Sequence, residues 1–481
     1  MTEHAEPKRS LNFLDATLIV AGSMIGSGIF IVSADIARNV GGPGWLLLVW
    51  AIAGVMTVFA ALSYGELAGM FPQAGGQYVY LREAYNPLIG FLYGWTLFMI
   101  VQSGTIAAVA VAFAKYTGVV FPIFSEGNII IHLGVFKVSA AQLLGIFSIL
   151  ALTYLNSRGI NYGKFIVRLF TSTKLLSLFG LIVLGIFFFR NPEVWKLNMA
   201  HFWHFGKYFV NEAGATELEA LTVGGLVAAI GVGLVGSLFS SDAWNNVTFI
   251  AGEIQHPKRN IPLALFSGTI IVTALYILAN VAYLSLLPCR GDANAADVIG
   301  RGIMFAEKDR VATAAATQIF GAPATIIMAV LIMISTFGCN NSIVLSSVRV
   351  YQAMAKDGLF FTKMKENNQF GVPGYALWVQ FIWSSMLALS GKYGDLLDYV
   401  MFAVMLFYIL TISGIFRLRR KMPEAERPYK AFGYPIVPAI YILLAAAFCI
   451  NLFFMKANNT WPGLALVIIG VPVFYYWKRK S

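Results

Sequence analysis

Apolar runs of about twenty residues recur along the whole chain, and charged residues bound them. A run of that length, wound as a helix, matches the hydrocarbon thickness of a bilayer. Hydrocarbon offers backbone N–H and C=O groups no water, so a crossing segment must bond its own peptide groups. The chain of 481 residues is 58% hydrophobic and 12% charged, with a mean hydropathy of +0.72. That is more apolar surface than a soluble domain of this size needs. The pattern predicts an all-α integral membrane protein with twelve transmembrane helices. The expected limits are 12–38, 44–70, 87–121, 139–156, 162–189, 222–252, 261–287, 321–354, 373–390, 394–417, 432–454 and 460–477. A polar turn at 391–395 divides the ninth span from the tenth.

Twelve spans place both termini on one side of the membrane. On that side the loops and tails hold 21 lysines and arginines, against 12 on the other, with Lys174 left inside a span. The excess of basic residues marks the cytoplasmic face. Both termini are therefore expected in the cytoplasm, and the protein in the plasma (bacterial inner) membrane. The net charge of +11 could suggest nucleic acid, but the basic residues sit in short loops between apolar runs, where topology explains them. Lys8 and Arg9 precede the first span without a small-residue cleavage motif after it, so no cleavable signal is expected. Cys289, Cys339 and Cys449 are isolated and form no metal-spaced cluster or disulfide framework. The loop 190–221, with Trp195, Trp203, His201 and His204, reads as an interfacial segment. Residues 288–320 read as short surface helices, and Arg417–Lys430 as a basic connector.

Gly22–Phe30, in the middle of the first span, has glycines at 22, 26 and 28 and serines at 23 and 27. Glycine weakens a helix, and broken backbone inside a bilayer survives only where protein or a water-filled cavity satisfies it. One reading is a substrate site, with freed amides of Gly26, Ser27 and Gly28 facing an anion. The other is a small-residue packing face, which Gly22 and Gly26 also fit. The sixth span repeats the pattern: glycines at 231, 233 and 236, then Ser240, Ser241, Asp242 and Asn245 at mid-depth. A carboxylate there costs about 2.5–3.5 kcal/mol on insertion scales. Asp242 is therefore a functional candidate, a cap for the second half of a broken helix, or both.

Two interrupted helices five spans apart imply repeats of odd length, hence a second copy inverted in the membrane. That arrangement points to a secondary-transporter site. Spans 1–5 (12–189) and 6–10 (222–417) are the expected 5+5 inverted repeats. The tail 1–11 precedes them, an extracytoplasmic loop (190–221) joins them, and the connector with two further spans (418–481) follows. Lys174 lies about 18 Å into the fifth span, too deep to snorkel easily. It reads as a built-in cation standing where a sodium ion would bind, or as a proton carrier, unless the span boundary is misplaced. Glu66 and Glu253 read as gate or loop ion-pair partners. Phe30, Phe239 and Trp244 flank the breaks and could occlude a ligand. No metal-ligand cluster and no Ser/His/Asp set shares one membrane level, so neither enzyme nor cofactor is expected.

These stretches, with Ser63–Leu67, Gly75–Glu83, Gly252–Pro262, Ser335–Gly338, Asp357–Gly358 and Arg427–Lys430, resemble the amino acid–polyamine–organocation superfamily, in particular bacterial L-type amino acid transporter homologues. The resemblance implies a LeuT-type fold with helices 1 and 6 discontinuous. It places a substrate carboxylate at Ser27 and the amides around Gly26 and Gly28, within Met24–Gly28 including Ile25. It places the ammonium at the carbonyls of Met24, Phe239 and Asp242, beside Ser240. Phe239 matches an aromatic that closes over the substrate, and Asn245 a polar residue near the side-chain pocket. Lys174 matches the lysine that replaces a sodium site. The implied function is a sodium-independent exchanger or facilitator of amino acids, neutral ones first. Asp242, where many L-type members carry Gly, leaves cationic substrates open. A proton-coupled symporter, a polyamine carrier and a non-transporting sensor remain alternatives. Animal members bond a heavy chain through a Cys after the third span; residues 122–138 contain none, so no disulfide-linked heavy chain is expected.

Overall fold

The computed structural model describes residues 9–133, 136–390 and 393–479. Lys8, Gly391, Lys392 and Lys480, used above in the charge count and the 391–395 turn, lie outside the described residues. We number only the helices of the membrane framework. These are α1 Phe13–Met24, α2 Gly28–Val40, α3 Pro43–Met70, α4 Pro87–Val120, α5 Ala140–Ser157, α6 Gly163–Phe188, α7 Val223–Ser240, α8 Pro257–Leu286, α9 Ala324–Lys356, α10 Gly374–Leu389, α11 Val400–Lys421, α12 Ile436–Met455 and α13 Thr460–Lys478.

Ten of these are long and apolar enough to cross a membrane; α1 and α2, bent by 43° at their break, make an eleventh when taken as one span. The count falls one short of twelve at α10. Its 16 residues extend about 24 Å, less than the roughly 30 Å of a hydrocarbon core. The chain is not purely helical. Strands β1 Ile129–Leu133 and β2 Phe136–Ser139 pair antiparallel, as do β3 Lys207–Val210 and β4 Thr216–Glu219. The second pair lies inside 190–221, after a short helix at Pro192–Ala200. Short helices at Val298–Arg301 and Val311–Phe320 occupy the loop 288–320.

Helix ends follow local chemistry. Asn12 and Asp15 form a reciprocal capping box at α1, and Ser139 and Gln142 another at α5. Pro43, Pro87 and Pro257 open α3, α4 and α8, at positions where a missing N–H costs nothing. Gly41 closes α2 in the left-handed conformation, φ 85°. The broken pair sits at the centre: α1 packs on α8, α6 and α9, and α7 packs on α2 and α3. Helix α8 lies along α3, and α9 along α4 and α6.

Two ends of the bundle can be told apart by their contacts. One gathers the described ends of the chain: Leu11 bonds Glu253 and Gln255, and the Trp477 ring lies tilted against Phe360 and edge-on to Phe361. The other gathers the loops around Arg38, Trp45, Trp203 and Arg290. Arg82, Lys164, Arg168, Lys258, Arg349 and Arg419, grouped on one face by the charge count, form ion pairs at the first end.

Candidate functional site

Between Met24 and Gly28 the chain leaves the helix. Ile25 is extended (φ −79°, ψ 92°), and Ser27 caps α2 without a side-chain hydrogen bond. The first-turn amides of α2 thus lack a side-chain acceptor, and such amides favour an anion. The Gly26 amide differs from the expectation: it donates to Met24 O at 3.0 Å within the break. The glycines of the first break differ in how closely they are packed. Gly22 and Gly28 are close approaches, where a Cβ would stand 2.5 Å from Thr171 Oγ1 and 2.0 Å from Ser240 Oγ. At Gly26 a Cβ would meet only Cys339 Sγ, at 3.5 Å.

The sixth segment breaks later than its glycines suggest. Helix α7 runs unbroken to Ser240. Gly231 and Gly236 serve packing instead, their missing Cβ atoms making room for Asn451 and Val32. The break is Ser241–Asn245, with Ala243 held at φ 64°, a left-handed conformation that costs a non-glycine about 1–3 kcal/mol. One helical turn, Asn246–Phe249, and a 3₁₀ turn, Ala251–Glu253, follow.

The two breaks share one narrow cavity. Met24, Gly26, Ser27, Gly28, Phe239, Ser240, Asp242 and Asn245 all line it. About 50 Å³ is open to water centres, room for a few water molecules. Ile25 does not line it; its side chain is fully buried. Phe30 and Trp244, expected beside a ligand, are absent from the lining, and Trp244 packs edge-on to Tyr64 with ring centroids 4.7 Å apart.

Lys174 lies behind the first break. It is 2% exposed. Its Nζ donates to Gly22 O and Ile25 O, each at 2.6 Å, and Ser335 Oγ donates to Ile25 O and Gly26 O at 3.2 and 3.0 Å. These carbonyls lost their helical partners at the break. A cation and a hydroxyl now satisfy them, as unwound backbone at membrane depth requires.

Several residues of the site went unread in the sequence. Tyr276 on α8 donates to Met24 O and Ser240 O at 3.1 and 3.0 Å, so one hydroxyl ties both breaks together. Tyr408 on α11 donates to Asp242 Oδ1 at 2.6 Å. Asn245 Nδ2 donates to Gln77, which in turn donates to Thr411. Tyr93, Val101, Thr105, Cys339 and Phe407 complete much of the wall. A tyrosine in mid-span was the available signal for Tyr276, but nothing local distinguishes it from a packing aromatic.

The ends around the cavity differ. At the end holding Leu11 and Trp477, Asp15 takes Lys164 and Arg168 at 2.8 and 2.5 Å. Glu253 pairs with Arg349 and Asp357 with Arg82. Glu66 is held by Arg419 at 2.9 and 2.7 Å and by the Ala431 amide. Glu66 and Glu253 thus stand as the ion-pair partners expected of them. At the opposite end, a cleft of about 640 Å³ beside Lys115, Tyr116, Lys308 and Arg310 reaches inward to Ser27, which lines both spaces.

The amino acid permease family matches residues 11–474. The chain is 28% identical to the serine/threonine exchanger of Bacillus subtilis, over 100% of this chain and 99% of that one. It is 29% identical to the human large neutral amino acids transporter small subunit 2, over 98% and 82%. It is 26% identical to the human b(0,+)-type amino acid transporter 1, over 98% and 89%. With these matches spanning the long apolar helices and both breaks, the chain is a multi-pass membrane protein that belongs to the amino acid permease family of the amino acid–polyamine–organocation superfamily.

Proposed function

We propose that the protein is a sodium-independent transporter of L-amino acids, neutral ones first, that works by alternating access as an exchanger or facilitator. The observation that carries this reading is the facing of two broken helices across one cavity, with the Lys174 ammonium already fixed to the carbonyls behind the first break. A zwitterion has two poles, and the cavity offers two kinds of helix end. The carboxylate meets the α2 amides at Gly28 with the Ser27 hydroxyl. The ammonium meets the carbonyl ends at Met24, Phe239 and Asp242, beside Ser240. Asn245 and Phe239 border the side chain. Lys174 takes the place of a sodium ion.

The reading includes the 5+5 inverted repeat over 12–189 and 222–417, with both termini in the cytoplasm. The cleft reaching Ser27 then faces outward, and the ion pairs of Asp15, Glu253 and Asp357 close the inner side. The names of the relatives support amino acids as cargo and exchange as a mode. The loop after the third span has no Cys, so no disulfide-linked heavy chain enters the proposal.

Vesicles holding the purified protein, tested without Na⁺ against labelled amino acids, decide the matter. In a counterflow panel of all twenty amino acids, exchange of the neutral ones without Na⁺ is the expected result; an absolute Na⁺ requirement refutes the role of Lys174. Uptake driven by an imposed pH gradient instead marks a proton symporter. A second reading, for substrates with a cationic side chain, has a specific observation behind it: the Asp242 carboxyl lines the cavity with a tyrosine as its partner.

A further inference from the structure

A groove at the end of the bundle that holds Leu11 and Trp477 plays no part in the transport reading. Its walls are Leu62, Pro262, Leu263, Phe266, Tyr429 and Phe432, and it encloses about 520 Å³. Leu263, Phe266 and Phe432 are 44%, 42% and 67% exposed. Leu62, Leu263 and Phe266 belong to spanning helices α3 and α8, so the groove opens sideways onto the bilayer. Lys258 and Arg259, in the first turn of α8, form its polar rim. Lys258 Nζ contacts Glu426 Oε2 at 2.5 Å, with both side chains well exposed. Arg259 forms no ion pair among the described residues. Glu66 contributes no charge to the rim, since Arg419 and Arg427 occupy it.

We propose that this groove seats an acyl chain of an anionic phospholipid from the leaflet on the side of Lys258 and Arg259, with its phosphate held by those two residues. The apolar walls exclude a free water-soluble anion as the natural occupant, because a wet groove lined by Leu and Phe is unfavourable. The two cations select the headgroup: a zwitterionic lipid carries its own cation to the same rim, whereas a net negative one does not. Glu426 competes with the phosphate for Lys258. This site is independent of what the central cavity carries.

That competition gives opposite signs to two substitutions. The full-length protein is exchanged into mixed phosphatidylglycerol–phosphatidylcholine nanodiscs, and retained lipid is read by native mass spectrometry after extraction. The wild type should retain phosphatidylglycerol above its share of the bulk. Lys258→Ala and Arg259→Gln should each lower that enrichment about fivefold, the worth of one basic residue at an anionic surface. Glu426→Gln should raise it. Leu263→Trp, which fills the groove and leaves the charges intact, should also lower it. If Lys258 and Glu426 form a structural pair alone, Lys258→Ala and Glu426→Gln will lower thermal stability alike and leave the lipid ratio unchanged, which overturns the proposal. Equal retention of both lipids by the wild type overturns it without any variant.

Discussion

Replacing Lys174 by methionine keeps an unbranched side chain, one atom shorter, and removes its three donors. Gly22 O then loses its side-chain partner, while Ile25 O keeps Ser335 Oγ at 3.2 Å. An orphaned buried carbonyl costs about 1–3 kcal/mol, so one full loss and one partial loss amount to about 2–4 kcal/mol against the broken conformation. At about 1.4 kcal/mol per decade, transport that needs this conformation should fall roughly 30- to 1,000-fold. Global stability should not follow. The ammonium is 2% exposed and bonded to carbonyls rather than to a carboxylate, and removing such a charge relieves several kcal/mol of desolvation. The thermal midpoint of the variant should therefore equal or exceed that of the wild type, while its uptake in sodium-free vesicles collapses. Lys174→Gln, which can still donate to one carbonyl, should fall between the two. Uptake within threefold of wild type refutes the claim that Lys174 holds the break. A midpoint that drops in step with uptake shows that the lysine supports the fold rather than the site.

Gly28→Ala should abolish uptake in folded protein, because its Cβ would meet Ser240 Oγ at 2.0 Å and Cβ at 2.7 Å. Adding Ser240→Gly removes both atoms and should restore part of the rate; no rescue means the clash lies elsewhere. Tyr276→Phe strips the hydroxyl that bridges Met24 O and Ser240 O, and should cut uptake at least about tenfold at about 1–3 kcal/mol per carbonyl with unchanged helix content by circular dichroism. Glu253→Gln leaves Arg349, 6% exposed, without its counter-ion. A cost of about 3–5 kcal/mol should lower the thermal midpoint by several degrees, and an unchanged midpoint would show the pair to be dispensable.

Along one chain, the sequence settled those features that depend on local composition. Apolar run length identified the membrane class, because hydrocarbon forces each crossing segment to satisfy its own backbone. Gly22–Phe30 and the polar cluster at 240–245 located both breaks, because helix-weakening and polar residues at mid-depth oppose the demands of lipid. The depth of Lys174 marked it as a buried cation. Contacts between distant residues were beyond that reach. Gly231 and Gly236 look like hinge glycines in sequence, yet they pack against Asn451 and Val32 while the break falls at Ala243. Tyr276 becomes a bridge because α8 brings it within 3.1 Å of carbonyls 252 and 36 residues away. Gln77 enters the site through Asn245, 168 residues distant. Trp244 leaves it by turning toward Tyr64. Helical periodicity sets which segments cross and where they weaken; only packing determines which side chain answers each carbonyl that a break sets free.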